Sequence, residues 1–289
     1  MLVQLDHTSS GVQIAAALAR HATTAAAVNI AGGESKSDLY TNVASAANAS
    51  LQQLGSAIVL KRADVKKAVI AKVYGGTHKT IYQAFAEATG LSYSAETAPL
   101  FGTLKDAIDD QMSGVVTVQK WFLQIVKALH ASGASEITIT LPHGGKLTVP
   151  FAYGEAVLPR VQTKVEGEVL TAANVPYSTG VVNVSGTAKS LVAQYIQSFD
   201  ATLLARSAVR LKAAGVWFLA KHDAYLVKKG TEAAVLPIVQ QVFFELFSVN
   251  HLDNLHAEIL ATYGVDVGRF NAYGDYDVAQ VLKSKFIIA

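Results

Sequence analysis

The pattern of hydrophobic and polar positions in the amino-terminal part of the chain predicts a short strand followed by helices. An apolar run over residues 1–5 ends at Asp6, and the alanine-rich stretch after it has a helical composition. This order predicts a strand, a turn that carries an acidic residue, and a helix. The helices predicted here cover residues 9–20, 35–60 with Ser35 or Ser37 as its cap, 63–74, and several segments between 77 and 132, including 116–130.

The helix predicted over residues 63–74 has an apolar face and a basic surface. Gly75 and Gly76 follow it, and glycine commonly ends a helix. Apolar residues at helical spacing are expected to be buried, and these are Val65, Val69, Ile70 and Val73. Residues 61–79 contain six basic residues and one acid, an excess that can meet phosphate groups.

The second part of the chain predicts two hairpins among helices. Residues 136–141 and 146–151 are β-branched runs on either side of a Pro-His-Gly-Gly turn, and the stretch from 153 to 185 is expected to be extended. A second hairpin, 216–220 with 224–227, carries Asp223 at its tip. Helices are predicted over residues 188–214, 231–263 and 277–284. The fold class is therefore α+β and mainly helical.

Composition adds few constraints. The chain has 289 residues, of which 51% are hydrophobic, so it can bury a substantial core. Its net charge of +2 is too small to indicate a nucleic-acid partner, and it has no cysteine, which excludes disulfides and thiolate metal sites. The start of the chain lacks the features of a signal peptide. The apolar stretch 233–249 is shorter than a membrane helix needs, which predicts a core helix and no membrane partner.

Five side chains are candidates for binding a nucleotide and its metal ions. Asp6 follows a predicted strand and Asp223 lies at a hairpin tip, where a sheet can hold two carboxylates at a set distance for divalent cations. Arg62 and Lys66 are four residues apart, so they share a helix face and can grip one triphosphate. Tyr74 lies roughly 18 Å further along the same helix. Taken singly, these features favour ordinary roles: a turn or cap residue for each aspartate, and a solvated basic helix with a buried tyrosine for the rest.

Together these residues resemble a known family. The pattern Arg62, Lys66, Tyr74 and Gly75 looks like motif B of the polymerase superfamily, residues 6–13 look like motif A of its RNA polymerase branch, and residues 221–224 look like motif C. The three motifs occur in the family order. Residues 198–204 and the carboxyl-terminal residues 286–289 provide two weaker matches. The chain thus resembles a single-subunit, phage-type DNA-directed RNA polymerase over nearly its whole length.

The resemblance implies a right-hand polymerase palm and fingers, with residues 1–22 and 197–289 as palm and 23–196 as fingers. It also implies a function for each site residue. Asp6 and Asp223 would hold two Mg2+ ions. Arg62 and Lys66 would bind the triphosphate, with Lys66 as a proton donor, and Tyr74 would select ribonucleotides. Gly11 would allow close approach to the nucleotide, and His222 would support Asp223 or the primer end. Gln197 stands where the family usually has a histidine that contacts the ribose.

Two alternatives are weighed against this interpretation. A related DNA polymerase shares motif B, but its motif A usually carries a glutamate, and residues 9–13 contain no acid, which favours ribonucleotides. A nonenzymatic nucleic-acid-binding subunit with the same fold is disfavoured because the two aspartates, Arg62, Lys66 and Tyr74 are all present.

The family's enzymes carry long regions before motif A, whereas this chain starts there. We therefore expect no thumb or amino-terminal domain, and a second subunit that supplies the thumb, the upstream palm and the promoter-reading region, as in two-subunit phage enzymes. The other expected partners are DNA template, nascent RNA and nucleoside triphosphates. The expected location is the cytoplasm of an infected bacterial host.

Overall fold

Helices make up most of the chain in the computed structural model, which describes residues 1–157, 161–173 and 176–289. The α+β, mainly helical class is thus observed. The α-helices are α1 (Ser10–Ala19), α2 (Ala22–Ala27), α3 (Leu39–Gln53), α4 (Arg62–Val73), α5 (His78–Thr89), α6 (Ala98–Gln111), α7 (Ser113–Ala131), α8 (Val184–Ala213), α9 (Val235–Phe247) and α10 (His251–Tyr263). The strands are β1 (Leu2–Leu5), β2 (Glu136–Thr140), β3 (Lys146–Pro150), β4 (Tyr153–Val157), β5 (Val161–Val165), β6 (Glu168–Ala173), β7 (Pro176–Val182), β8 (Phe218–Lys221) and β9 (Ala224–Lys228).

A small antiparallel sheet in the order β1, β9, β8 joins the two ends of the sequence. Strands β8 and β9 form the predicted hairpin, in which Lys221 pairs with Ala224 across a two-residue turn. Strand β1 pairs with β9 so that Leu5 lies opposite Tyr225. Because Asp6 directly follows Leu5, this register brings it to the same sheet end as the hairpin tip that carries Asp223.

Helix α1 is the centre of the core, since all ten of its residues are buried. Five of them are glycine or alanine (Gly11, Ala15, Ala16, Ala17 and Ala19), and such small residues allow neighbouring helices to approach closely. Helix α1 packs against α7 and α8. The loop that carries Asp6 therefore leads into a helix that is buried along its whole length.

Helix α3 differs from its prediction at both ends. Its cap is Asp38, whose carboxylate accepts hydrogen bonds from the backbone N–H of Tyr40 (3.0 Å) and Thr41 (3.3 Å), so the prediction of Ser35 or Ser37 was wrong. The helix ends at Gln53 because Gly55 adopts a positive φ of 71° and turns the chain. The segment up to residue 60 is not helical.

The prediction that residues 233–249 form a core helix is confirmed by α9, whose Val235, Val239, Phe243 and Phe247 are buried. The predicted helix over 231–263 is interrupted at residues 248–250, where Asn250 caps α10. Counted across this interruption, residues 232–263 are the single helical stretch among the described residues that is long and apolar enough by composition to cross a membrane.

The extended structure predicted between residues 153 and 185 is present as two separate strand pairs, β4 with β7 and β5 with β6. Residues 158–160 and 174–175, which the same prediction covers, lie outside the described part of the chain. The last predicted helix is a 3-10 helix, Val278–Lys283.

Candidate active site

A cleft of about 400 Å3 opens where the acidic turn after β1, the start of α3, one face of α4 and the β8–β9 hairpin tip meet. Its walls carry opposite charges, with carboxylates on the sheet side and cations on α4. The residues that line it are Asp6, His7, Thr8, Ser9, Ser10, Gly11, Lys36, Ser37, Asp38, Tyr40, Arg62, Lys66, Ile70, Val73, Tyr74, Asp223 and Ala289.

The acidic wall consists of Asp6 and Asp223. Within the described residues neither carboxylate forms an ion pair, so both are available to bind a cation. Carboxylate oxygens are the ligands that Mg2+ prefers, and the donor set fits such an ion. The described part of the chain contains no group of three or more His, Cys, Asp or Glu arranged to hold a metal. A metal here would therefore need oxygen atoms of the substrate or water as further ligands.

The backbone of the acidic wall is held in two ways. Asp6 exchanges two backbone hydrogen bonds with the last residue, Ala289, at 3.3 and 2.9 Å. Asp223 sits in a two-residue turn whose first residue, His222, has a positive φ of 55°. That conformation is typical of a type II′ turn and is strained for a residue other than glycine. Strain of this kind is often found at functional sites.

The side chain of Gln13 ties the acidic turn to its surroundings. Its amide nitrogen, which has two hydrogens to donate, lies 3.0 Å from each of three acceptors: Thr8 Oγ1, Val28 O and Ile287 O. Its oxygen lies 2.9 Å from Nδ1 of His7, a buried ring next to Asp6. Burial lowers the pKa of His7 below its ordinary value, although Gln13 and the two aspartates act in the opposite direction. The network fixes the direction in which Asp6 leaves the sheet.

The cationic wall consists of Arg62 and Lys66 on α4, and the predicted shared face is confirmed because both line the cleft. Arg62 Nε donates to Asp38 Oδ2 at 2.5 Å, and both cations lie over the ring of Tyr40, at 5.0 and 5.9 Å from its centroid. Burial acts to raise the pKa of Asp38, but the bond from Arg62 and the backbone bonds of the cap outweigh it and lower the pKa. The sequence analysis did not include Asp38 or Tyr40 among the site residues. A signal was available for Asp38, because aspartate is a preferred cap at the start of a helix.

Not all of the basic residues on α4 face the cleft. Lys67 pairs with Glu87 at 2.8 Å on another side of the helix, and Lys72 pairs with Asp109 at 2.5 Å with only 11% of its side chain exposed. Ile70 was predicted to be buried, but it is 41% exposed and lines the cleft. The face that meets the cleft is therefore mixed in character, with two charges and an apolar surface.

Tyr74 closes the carboxyl end of α4 and packs against the start of α1. A Cβ atom on Gly11 would lie 2.6 Å from Val73 Cγ1 and 3.1 Å from the Tyr74 hydroxyl oxygen, so only glycine allows this approach. Burial, with smaller contributions from Asp200 and Asp223, raises the pKa of Tyr74 to about 12.

Asp200 on α8 lies behind this arrangement. Burial raises the pKa of its carboxyl group to about 7. The nearby Ser10 acts to lower this pKa, and the charge of Asp223 acts to raise it further. The sequence analysis included Asp200 only within a weakly matching segment.

Two residues that were predicted to belong to the site do not line the cleft. Gln197 is exposed about one turn before Asp200 on α8, and His222 is exposed at the hairpin tip.

A second cleft, of about 570 Å3, lies at the carboxyl end of α4 beside the start of α5 and α8. It is basic. Among the described residues its Lys79, Lys120 and Lys189 form no ion pair, whereas Lys72 and Lys105 pair with Asp109. Thr77 caps α5 at this cleft, and a helix start also favours anions.

Comparison with known proteins agrees with this geometry. A family model described as DNA-dependent RNA polymerase matches residues 1–273. The chain belongs to the DNA-dependent RNA polymerase family. The predicted resemblance to single-subunit, phage-type RNA polymerases is thereby confirmed.

Relatives of this RNA polymerase family member include enzymes of plant organelles. It is 25% identical to DNA-directed RNA polymerase 2, chloroplastic/mitochondrial, and 24% identical to DNA-directed RNA polymerase 1, mitochondrial, both from Arabidopsis thaliana. Each comparison covers 98% of this chain but only 30% and 31% of the relative, respectively. DNA-directed RNA polymerase 2A of Nicotiana tabacum is 23% identical over 98% of this chain and 90% of its own length.

One solved structure with similarity to this RNA polymerase family member is the POL domain of Pol1 from M. smegmatis in complex with DNA primer-template and dNTP. The TM-score is 0.43 with 16% sequence identity, and the match covers 85% of this chain and 36% of that one.

Proposed function

We propose that this chain forms the catalytic centre of a DNA-directed RNA polymerase and joins ribonucleotides on a DNA template. One observation carries the proposal: two unpaired carboxylates, Asp6 and Asp223, face two cations four residues apart, Arg62 and Lys66, across a single cleft. A nucleoside triphosphate requires this distribution of charge, because its phosphates need both divalent ions and fixed cations.

The reaction assigns a task to each wall. The 3′-hydroxyl oxygen of the nascent RNA attacks the α-phosphorus of the nucleotide, and the bond from that phosphorus to the bridging oxygen breaks to release pyrophosphate. Arg62 and Lys66 bind the β- and γ-phosphates, and Lys66 Nζ donates a proton to the leaving pyrophosphate. Asp6 and Asp223 would hold two Mg2+ ions, which supply charge neutralisation for the attacking and leaving oxygens.

The sugar lies at the other end of the cleft in this proposal. Tyr74 faces it from the end of α4, while Gly11 leaves room because its missing Cβ lets the chain approach Tyr74 closely. The cleft-lining residues Ser9, Ser10 and Gly11 carry no acid, which supports ribonucleotides over the deoxyribonucleotides of a related DNA polymerase.

We further propose that the second, basic cleft contacts phosphates of the DNA template. Its unpaired lysines and the start of α5 favour a polyanion. Affinity for a primed template should then fall steeply as the salt concentration rises. Replacing both Lys120 and Lys189 by alanine should reduce the slope of log K against log salt concentration by about two. An affinity that is insensitive to salt would contradict template binding here.

The parts of the polymerase are assigned by the same proposal. Residues 1–22 and 197–289 form the palm, which contains the β1–β9–β8 sheet, and residues 23–196 form the fingers, which contain α4. The chain spans about 30% of the length of the two Arabidopsis relatives. We propose that a second subunit provides thumb, upstream palm and promoter-reading functions, and that the protein acts in the cytoplasm of a phage-infected bacterium.

The catalytic proposal is tested by nucleotide addition to an RNA primer on a DNA template, with the tagged chain purified together with any polypeptide that it binds stably. Asp6→Asn and Asp223→Asn should each reduce kcat by at least a thousandfold, because each removes a ligand for a divalent ion. Folding is verified by circular dichroism. Undiminished incorporation by either variant would refute the assignment.

Helix α4 offers a matched control. Lys66→Ala should lower kcat/KM by roughly a hundredfold, since the loss of a charged contact to phosphate is worth about 3 kcal/mol. Lys67→Ala changes the adjacent residue, which points to Glu87 instead of the cleft, and should have little effect. Equal losses in the two variants would mean that general positive charge, and not the cleft geometry, determines activity.

The second subunit has its own test. Size-exclusion chromatography of the purified material should show a heteromeric complex, and removal of the partner by a salt wash should reduce processive synthesis. Full promoter-dependent synthesis by the isolated chain would refute the subunit proposal and leave the catalytic one intact.

A further inference from the structure

We propose that Asp38 is a positioning residue for the triphosphate, which orients the guanidinium group of Arg62 so that its two outer nitrogen atoms are presented to phosphate oxygens. The inference rests on the proposed function, because it takes Arg62 as a ligand of the nucleotide. Both residues line the cleft, Asp38 from the start of α3 and Arg62 from the start of α4.

The two carboxylate oxygens of Asp38 have different partners. Oδ1 accepts hydrogen bonds from the backbone N–H of Tyr40 at 3.0 Å and of Thr41 at 3.3 Å, which holds the carboxylate at the start of α3. Oδ2 accepts a hydrogen bond from Arg62 Nε at 2.5 Å. The backbone of α3 therefore sets the direction of the carboxylate, and the carboxylate in turn sets the direction of the guanidinium group.

This contact leaves the phosphate-binding atoms of Arg62 unoccupied. The guanidinium group is planar and rigid, so a hydrogen bond at Nε restricts the directions of the two Nη groups. Within the described residues, the Nη groups form no hydrogen bond. The Tyr40 ring lies against the same group, with its centroid 5.0 Å from Cζ. Paired N–H donors of this kind suit two phosphate oxygens.

The backbones of α3 and α4 are joined beside this contact. Asn48 of α3 donates from Nδ2 to Leu60 O at 2.9 Å and accepts at Oδ1 from the Leu60 N–H at 2.8 Å. Leu60 is buried and precedes Arg62 by two residues. These bonds fix the start of α4 relative to α3, so that Asp38 and Arg62 meet at a set distance.

Stability does not account for the pair. The Arg62 side chain is 52% exposed and that of Asp38 is 35% exposed, and ion pairs in such surroundings add little to stability. A carboxylate beside a triphosphate also adds a charge of the same sign. Orientation of Arg62 explains why the carboxylate is nevertheless present.

Asparagine separates the two tasks of Asp38. Its single side-chain oxygen can still accept the hydrogen bonds that cap α3, but its NH2 group then faces Arg62 Nε, and both are donors. Asp38→Asn thus keeps the cap and removes the contact with Arg62. Asp38→Ser, which also keeps a capping oxygen, is a second variant with the same expected effect.

The test measures kcat and KM for a nucleoside triphosphate in single-nucleotide addition at pH 8, and KM for pyrophosphate in the reverse reaction, with the chain in its complex. In Asp38→Asn and Asp38→Ser we expect both KM values to rise at least tenfold while the forward kcat changes less than threefold. In an Arg62→Ala background the same changes should have no further effect, because their path runs through Arg62. Circular dichroism verifies that each variant is folded.

Asp64→Asn is the matched control at the start of α4. Asp64 Oδ2 accepts a hydrogen bond from the backbone N–H of Lys61 at 2.7 Å, and among the described residues Asp64 forms no ion pair. The substitution removes the same charge two residues from Arg62 and should leave both KM values unchanged. An equal rise in Asp64→Asn would mean that charge near α4, and not the hydrogen bond, is the cause, and would overturn the proposal.

The remaining outcomes separate the possible explanations. A lower KM in Asp38→Asn would show that Asp38 competes with phosphate for Arg62, which is the opposite sign and overturns the proposal. A loss of kcat at unchanged KM would also overturn it. Nucleotide addition with unchanged KM in both Asp38 variants refutes this inference alone. Failure of the unmodified protein to add any nucleotide refutes the proposed function and this inference with it.

Discussion

Asp200→Asn should increase the stability of the protein relative to wild type. The gain should be large at pH 8 and much smaller at pH 5. Burial raises the pKa of this carboxyl group from its ordinary 3.8 to about 7 in the folded protein. Between these two values the folded state holds a proton that the unfolded state has released. Stability therefore falls as pH rises through this range, because the folded state binds more protons than the unfolded state.

The size of the effect follows from the shift of about three pKa units. At about 1.4 kcal/mol per unit, ionised Asp200 costs the folded protein at most about 4 kcal/mol, of which about 2.5 kcal/mol develops between pH 5 and pH 8. Asparagine has the same shape and never ionises, so it removes this pH-dependent cost. The groups that face the carboxylate are Ser10, Tyr74, Tyr225 and Asp223.

The assay is thermal or urea unfolding of both proteins at pH 5 and pH 8, with a chelator present because a bound cation would also act on the carboxylates. For 289 residues, 2.5 kcal/mol corresponds to roughly 4 °C in Tm. The stability gap between variant and wild type should widen by this amount from pH 5 to pH 8, whereas the exposed Asp110→Asn should show a constant gap. A gap of the same size at both pH values would refute the argument that Asp200 is ionised at a cost. A widening gap would show that the ionised Asp200 carboxylate destabilises the folded protein.

Three further changes test the geometry of the cleft. Gly11→Ala places a Cβ 2.6 Å from Val73 Cγ1 and should lower the free energy of unfolding, measured with urea, by about 1–3 kcal/mol. An unchanged urea midpoint would mean that α1 and α4 are not packed as described. His222→Gly should stabilise the chain by up to about 1 kcal/mol in thermal unfolding, because glycine adopts the positive φ of 55° without strain, and a lower Tm would contradict a strained turn. Asp38→Ala removes the α3 cap and the partner of Arg62, and it should lower the free energy of unfolding by about 1 kcal/mol. Asp38→Asn should lose much less, because its side-chain oxygen still caps the helix. Equal losses in the two variants would show that the cap is not the cause.

The order of the elements and the identity of the main site residues could be read from the sequence because both are local properties. The strand ending at Asp6, the hairpin around Asp223 and the helix from Arg62 to Tyr74 all depend on neighbours within a few residues. Their hydrophobic spacing and turn residues are visible along the chain. The shared face of Arg62 and Lys66 follows from helical geometry alone.

Other features depended on contacts between distant segments. Asp38 reaches Arg62 across 24 residues, the carboxyl-terminal Ala289 bonds to Asp6 at the opposite end of the chain, and the charge of Asp223 acts on the pKa of Asp200. No periodicity or motif spacing encodes such pairs, since they form only when α1, α3, α4 and α8 pack together. Ile70 shows the same limit, because its helix face is apolar by pattern yet opens onto the cleft.

The sequence by itself thus determined the class of the fold, the family and the residues that carry charge in the cleft. The tertiary structure decided which of the basic residues on α4 line the cleft and which are paired with Glu87 or Asp109 elsewhere on the helix. It also decided that a buried acid stands behind Tyr74. The physical reason is that charge, burial and hydrogen-bond direction are set by the surroundings of a side chain in space, whereas helix and strand patterns are set by its neighbours along the chain.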